Sequence, residues 1–349
     1  MTPAVAVSVS LGQSLPQAWY AGTHEPNGEG LNCSENTIFD LASLTKPLTT
    51  TLWCLQLVER GKMSLEDPIG KWVAVESKDL SMCPVWRLMT HTSGLPAHRP
   101  YFRGLGPPLL KTGRFSQAKT AIRRMIHETK PEQEAGQKEV YSDLSYLLLE
   151  EVCESAHAPL ENIWHTLPGH GADALHYRPL SSREPANAYA ATEQCPWRRE
   201  LLQGQVHDDN CWTMGGVGGH AGLFGTLQDV HSLGQQWLAA LTTQNNKLGL
   251  SQALIDHTVD LSQMHGNGTR VIGWDTPTPG RSSAGRFFGR RSVGHLGFTG
   301  TSLWIDPEAN IVITLLTNRV SPSRDDIRIR GLRPELHDLL RTWLKGART

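Results

Sequence analysis

The chain of 349 residues predicts an α/β protein, with one sheet domain built from both chain ends and a mostly helical domain inserted between them. Three observations predict this. Residues 4–10 alternate, Ala4, Ala6, Ser8 and Ser10 against Val5, Val7 and Val9, and residues 17–22 can return beside them as a hairpin. Residues 60–200 hold helical stretches and loops with little strand pattern. The C-terminal part returns to strands at 269–274, 302–305 and 310–318 and closes with a helix over 333–345. The boundaries drawn from this pattern are 1–60 with 225–349 for the sheet domain, and 61–224 for the insert.

The elements follow in order. Gly12 and Pro16 turn the first hairpin, and a loop rich in Gly, Asn and Glu runs to Asn36. A helix runs from about Ser43 to Arg60, with Leu48, Leu52, Leu55 and Val58 facing a core and Gly61 fitting its end. Pro47 lies close enough to its start to cost at most one backbone bond. Helical spacing marks 115–129, 143–156 and 227–242. Between about 167 and 220 the chain is rich in Gly, Pro and His and reads as ordered loop.

Composition narrows the function. Hydrophobic content of 39% and charged content of 19% suit a globular protein, and a net charge of −1 gives no general argument for nucleic acid or an anionic surface. Eleven tryptophans serve a core or line a cleft. The six cysteines form no C-x-x-C pair, so they read as buried thiols rather than zinc ligands. No apolar run approaches the ~20 residues that span a bilayer. The start MTPAVAVSVSLG lacks a basic segment and a continuous apolar stretch, so the expected location is the cytoplasm. Oligomeric state is not legible, and no metal or cofactor is expected.

The chemistry concentrates at Phe39–Lys46, FDLASLTK. Ser43 and Lys46 stand three apart, on one face of a helix. A serine hydroxyl needs a neighbour to take its proton, and a lysine does so only when its pKa is lowered. The Ser43 amide, at a helix start, points out to hold an oxyanion. The pattern alone is weak, since S-x-x-K should occur about once or twice by chance in a chain this long. Ser116–Lys119 is a second copy, on an amphipathic stretch where Ser116 reads as solvated.

Two further strings offer partners. In Tyr141-Ser142-Asp143, a phenol near a lysine ammonium is drawn toward phenolate and can act as a base; from these residues alone a core tyrosine before a helix cap is the favoured reading. In Gly294-His295-Leu296-Gly297-Phe298-Thr299-Gly300, glycines at a strand edge let a substrate backbone come close. The Phe298 amide is then a second oxyanion donor and His295 a source of a proton or hydrogen bond; an ordinary glycine-rich turn also fits. His91 and Ser93 in LMTHTSGLP read as a structural loop. His207 and His220 flank a glycine-rich run that lacks the Lys-Ser/Thr of a phosphate loop, and a metal pair of the two is a weak alternative.

Taken together, these strings resemble the serine β-lactamase-like family of class C β-lactamases, D-alanyl-D-alanine carboxypeptidases and related esterases and cell-wall amidases. FDLASLTK resembles its S-x-x-K motif, YSD its Y-x-N motif and HLG its K/H-T-G motif. GQVHDDN, GGVGGHAGLFGT and GHLGFTGTSLWIDP resemble stretches common in the family, so the likeness runs from near residue 4 to about 320. The resemblance implies a β-lactamase/transpeptidase-like fold, an antiparallel sheet flanked by helices with the active site at the domain junction. It implies that Ser43 attacks a carbonyl while Lys46 and Tyr141 take its proton, with His295 assisting, and that the amides of Ser43 and Phe298 hold the oxyanion. Asp143, Gly297, Thr299, His207 and His220 are the expected substrate contacts.

Two departures bear on substrate. Asp143 replaces the usual Asn and places a carboxylate where it would favour charged lysine. Leu296 replaces the usual Thr, and His295 stands for Lys, so recognition of the penicillin carboxylate should be poor and β-lactamase activity weak. The expected substrates are muropeptides, cut either as by a D-alanyl carboxypeptidase or between N-acetylmuramic acid and L-alanine. The basic segment 281–291 is either a carboxylate contact or a solvated loop. A promiscuous esterase and a non-catalytic binding module on the same fold are the competing readings.

Overall fold

The computed structural model describes residues 2–28, 30–105, 114–171, 174–182, 185–242, 245–263 and 268–346. Its strands, in chain order, are β1 (Ala4–Leu11), β2 (Gln17–Gly22), β3 (Phe39–Asp40), β4 (His176–Tyr177), β5 (Gln194–Cys195), β6 (Glu200–Leu201), β7 (Leu223–Gly225), β8 (Arg270–Val271), β9 (Trp274–Asp275), β10 (Val293–Leu296), β11 (Ser302–Asp306) and β12 (Ile311–Thr317). The longer helices are α1 (Leu52–Glu59), α2 (Phe115–His127), α3 (Asp143–Ala156), α4 (Leu227–Leu241) and α5 (Ile329–Gly346).

Seven strands form one antiparallel sheet in the order β2-β1-β12-β11-β10-β9-β8. The first hairpin therefore lies beside a strand from the far end of the chain, with Val7 opposite Leu315. The period-two pattern decides what each face meets. Val7, Val9, Trp304, Ile313 and Leu315 pack with Ile329 and Leu340 of α5. Ala4, Ala6, Leu303, Ile305, Val312 and Leu316 join the core that α4 enters through Val230, Leu233 and Trp237. Ser8 and Ser10 sit on that second face, where the ring of His231 on α4 bonds both hydroxyls at 2.8 Å. A small sheet, β3-β7-β4, carries the segment that leads into Ser43.

The fold departs from the sequence reading at four places. The helix after Ser43 is not continuous: it opens as a 3₁₀ turn over Ala42–Leu44, passes through a π-helical stretch over Lys46–Thr51 and becomes α-helical at Leu52. Pro47 and three β-branched threonines disfavour a regular helix there, and Thr50 and Thr51 turn their hydroxyls to Gly219 and Tyr146. The strand expected over 269–274 is a tight pair, β8 and β9, turned at Gly273 with φ +78. Residues 293–296 form a true inner strand, because Gly294 lets the Trp304 ring lie against the backbone. Helix α5 begins at Ile329 rather than Arg333 and carries Pro334 inside it.

All six cysteines are free and buried, as the spacing predicts. Trp53, Trp237, Trp274 and Trp304 are core residues. Among the described residues no helix is long and apolar enough to cross a membrane.

Candidate active site

The backbone at Ser43 is forced into place. Leu41 N–H donates to Leu223 O at 2.9 Å, which ends β3 against β7. The next residue, Ala42, adopts φ 47, a left-handed conformation rare for a side-chain-bearing residue. Asp40 holds the turn: its Oδ1 accepts the Ala42 N–H at 2.8 Å and its Oδ2 the His207 N–H. Ser43 thereby stands half-exposed at the floor of a cavity of about 820 Å³, and Lys46 lies fully buried beneath it.

Lys46 spends all three ammonium protons. Nζ donates to Ser43 Oγ at 3.0 Å, to Asp143 Oδ1 at 2.7 Å and to the His220 carbonyl at 3.0 Å. Burial alone would push the Lys46 pKa down, but the Asp143 carboxylate and the Tyr141 phenol overcome it and hold it above the usual lysine value. Burial would likewise raise Asp143, and the Lys46 ammonium holds it far below the carboxylate range. At rest the pair is an ammonium and a carboxylate.

Tyr141 stands over this pair, its ring centroid 5.0 Å from Lys46 Nζ. Its hydroxyl is buried and has no hydrogen-bond partner of good geometry among the described residues. Burial pushes the phenol pKa up, against the pull of Lys46, so Tyr141 keeps its proton. The ring lies between His91, with centroids 4.6 Å apart, and His295 at 5.9 Å, and the Arg270 guanidinium sits 5.2 Å from its centre. His91 Nδ1 accepts the Ser142 N–H at 3.0 Å, fixing the backbone beside Tyr141.

His295 is neutral. Burial first, then Lys46 and Arg270, push its pKa down to about 3. Its Nδ1 lies 3.0 Å from the Leu296 carbonyl, which can only accept. The proton is therefore on Nδ1, and Nε2 carries the lone pair.

A family model described as Beta-lactamase matches residues 1–336. The chain belongs to the Beta-lactamase family. A Salmonella enteritidis PT4 protein named as a D-alanyl-D-alanine carboxypeptidase is 31% identical over 336 residues, covering 87% of this chain and 76% of its own. A class C beta-lactamase mutant superposes with a TM-score of 0.69 at 19% identity, covering 98% of this chain and 92% of its own. A D-alanine carboxypeptidase from Burkholderia cenocepacia gives 0.66 at 18%, covering 96% and 92%. At such identities the structural likeness shows the fold, and it is the fold the motifs implied. The protein is a serine hydrolase of this Beta-lactamase family.

The cavity brings together Ser43, Tyr141, Asp143, His295, Gly297 and Phe298, with His207 and His220 in its walls. Gly297 must be glycine: a Cβ there would meet Thr301 Oγ1 at 1.9 Å and Leu41 O at 2.6 Å, so the turn could not press against the Ser43 segment. Thr299, expected to meet substrate, does not line the cavity. It is buried, and its hydroxyl donates to the Asp40 carbonyl at 2.7 Å, so it clamps the turn rather than meeting substrate. His207 is committed to structure: Nε2 pairs with Glu193 at 3.1 Å and the ring lies against Phe298. His220 pairs with Asp208 at 2.9 Å. Each imidazole has its own carboxylate, and no metal-ligating group of three or more residues occurs among the described residues.

The second S-x-x-K lies outside the cavity: Ser116 is exposed, and Lys119 pairs with glutamates of α3 and with Glu161. The basic segment 281–291 does not line the cavity; Arg286 pairs instead with Asp338. The run after β12 adds Arg319, Arg324, Arg330 and Arg333 to a lining that also holds Arg103 and Arg270. Arg324 pairs with Glu193. Arg333 is buried and donates to the Gly297 and Thr301 carbonyls, and burial pulls its pKa down to about 9. Arg319 donates to the Phe298, Arg324 and Asp326 carbonyls. The sequence carried the signal, five arginines within residues 319–333, but not the fold that aims it at the cavity. His98, half-exposed, 3.4 Å from Asp143 Oδ2, had no legible motif.

Proposed function

We propose that this hydrolase cuts an amide bond in peptidoglycan-derived peptides through an acyl-enzyme on Ser43. The observation that carries the reading is the Ser43–Lys46–Asp143 chain of contacts at the floor of an arginine-walled cavity. Lys46 is charged at rest and cannot take a proton without giving one up. As Ser43 attacks, its proton passes to Lys46 Nζ while Lys46 hands one to Asp143 Oδ1, so the pair acts as one base. The amides of Ser43 and Phe298 receive the oxyanion. Tyr141, kept protonated by burial, supplies its proton to the leaving nitrogen, and the resulting phenolate is stabilised by Lys46 and refilled from the pair. Water then releases the acyl group.

The arginines on one wall of the cavity support an acidic substrate. Among the described residues Arg319 and Arg333 hydrogen-bond only to carbonyls, and Arg330 is exposed on the same wall. Cell-wall peptides carry carboxylates that such guanidiniums bind. The carboxypeptidase name of the Salmonella enteritidis relative supports the same class. Whether the bond is D-alanyl or N-acetylmuramyl-L-alanyl is decided by incubating the protein with a muropeptide panel and reading products by mass. Loss of a terminal alanine supports the first, release of an intact peptide the second, and no cleavage of any member contradicts the proposal.

One observation favours an esterase as the second reading. A fully charged Lys46 is a weak base, and an ester asks less of leaving-group protonation than an amide. Fast cleavage of simple aryl esters with no action on muropeptides would select it.

A further inference from the structure

Glu150 lies outside the cavity, and no step above uses it. Its side chain is 1% exposed. Oε1 accepts from Lys119 Nζ at 2.7 Å and Arg123 Nη2 at 3.1 Å, both on α2. Burial would raise its pKa, but these two cations outweigh burial and keep it ionised. Glu151 and Glu154 complete the charged cluster on the α3 side. A buried ion pair by itself adds little to stability compared with apolar packing, so the cluster alone does not account for a charge at this position.

The other oxygen gives the account. Oε2 accepts the Gly219 N–H at 2.7 Å, while Thr50 Oγ1 donates to the Gly219 carbonyl at 2.6 Å. A Cβ at residue 219 would fall 2.8 Å from both Glu150 Cβ and the Tyr146 carbonyl, so the loop reaches the carboxylate only because it is glycine there. The next carbonyl, His220 O, is one of the three acceptors of the Lys46 ammonium. Asp143 and Glu150 both belong to α3, seven residues apart, which places them on one face. That face therefore holds Lys46 twice, directly through Asp143 and through the Gly219–His220 backbone by Glu150.

We propose that Glu150 is a positioning residue, whose bond to Gly219 fixes the His220 carbonyl and so the direction in which Lys46 Nζ meets Ser43. The inference rests on Ser43 as nucleophile with Lys46 beside it. The test measures fluorophosphonate labelling of the full chain by intact mass, separating the maximal rate from reagent affinity. Glu150→Ala should lower the maximal rate about tenfold or more with affinity nearly unchanged, because a misaligned base costs rate rather than binding. Glu150→Gln keeps an acceptor for Gly219 and should restore most of the rate, although it loses the Lys119 and Arg123 pairing and melts lower. Thr50→Val leaves the charged cluster intact and should slow labelling severalfold, which keeps the test open should Glu150→Ala not fold. Labelling of Glu150→Ala or Thr50→Val within about twofold of wild type, or a Gln variant as slow as Ala, overturns the proposal. A wild-type chain that takes no label contradicts the acyl-enzyme reading and removes this inference with it.

Discussion

Lys46 Nζ and Asp143 Oδ1 lie 2.7 Å apart, the lysine fully buried and the aspartate 20% exposed. Each carries its charge because the other does. The sign of the pH dependence follows from the two shifts. Asp143 is depressed, so its contribution to stability is present above the unfolded carboxylate value of about 3.9 and is lost as pH falls below it. Lys46 is raised, so its contribution is present below the unfolded lysine value of about 10.4 and is lost as pH rises through the higher folded value. The pair is intact across the range in which an enzyme works.

Replacing Asp143 by Asn should remove the acceptor of the relayed proton. Labelling then needs Lys46 itself to be neutral, so the acid limb of the labelling-rate profile, set in the wild type by the depressed Asp143, moves up in pH toward the lysine range even though loss of the carboxylate lowers the Lys46 pKa. Asn still accepts from Nζ, so the loss of stability should stay below the roughly 3–5 kcal/mol of a broken buried pair. A pH–rate profile and a thermal melt of Asp143→Asn check both. An acid limb that does not move would show that Asp143 leaves Lys46 unaffected.

Tyr141→Phe should separate two kinds of substrate. The phenol has no structural hydrogen bond to lose among the described residues, so folding should be unchanged. Amide cleavage should fall about 10²–10⁴-fold, the usual worth of a positioned general acid. Cleavage of an aryl ester, whose leaving group departs unprotonated, should fall far less. Parallel kcat values on one amide and one ester measure the split, and equal losses would remove Tyr141 from the acid role.

Much of this site was legible before any coordinates. Ser43, Lys46, Tyr141 and His295 stand in short strings tied to their chemistry, and the alternation of residues 4–10 announces a strand with two unlike faces, though not which helix covers each. What could not be read depends on approach between distant segments. Thr299 looks like a substrate contact in a glycine-rich turn, and only the fold shows its hydroxyl spent on the Asp40 carbonyl. Arg333 looks like an ordinary helical cation, and only α5 packing against β1, β11 and β12 brings it to the Gly297 carbonyl. The π-helical stretch after Lys46 is set by threonine hydroxyls reaching Gly219 and Tyr146, contacts that no periodicity records.

Arg330 should govern affinity for acidic substrates. It is exposed on the cavity wall and its side chain supports no backbone carbonyl among the described residues. Arg330→Ala should raise KM for a carboxylate-bearing substrate about tenfold, leave kcat nearly constant and weaken the dependence of KM on salt. A neutral ester should not notice the change. Steady-state kinetics on an acidic and a neutral substrate at two ionic strengths decide it, and an equal effect on both would place the anion contact elsewhere.

Acid should unfold the protein before its carboxylates are protonated. His231, His295 and His337 are buried, and burial pulls their pKa values to about 4, about 3 and about 4. Their unfolded value is near 6.5, so the unfolded chain binds more protons below that pH and stability falls as pH drops. Each histidine contributes a slope of up to about 1.4 kcal/mol per pH unit between 6.5 and its folded value. Urea unfolding at a series of pH values should show the loss beginning near pH 6.5, reaching its full slope by about pH 5.5 and easing near pH 4 as the folded-state histidines begin to protonate. A flat profile down to pH 5 would mean that these rings ionise without cost in the fold.

The most direct test is intact mass after exposure to a fluorophosphonate and, separately, to penicillin, with Ser43→Ala as the control. The predicted result is one phosphonyl group per chain, placed on Ser43 by peptide mapping and absent from the control, with little or no penicillin adduct. A label that persists in Ser43→Ala, or maps to any other residue, would contradict an acyl-enzyme at this serine.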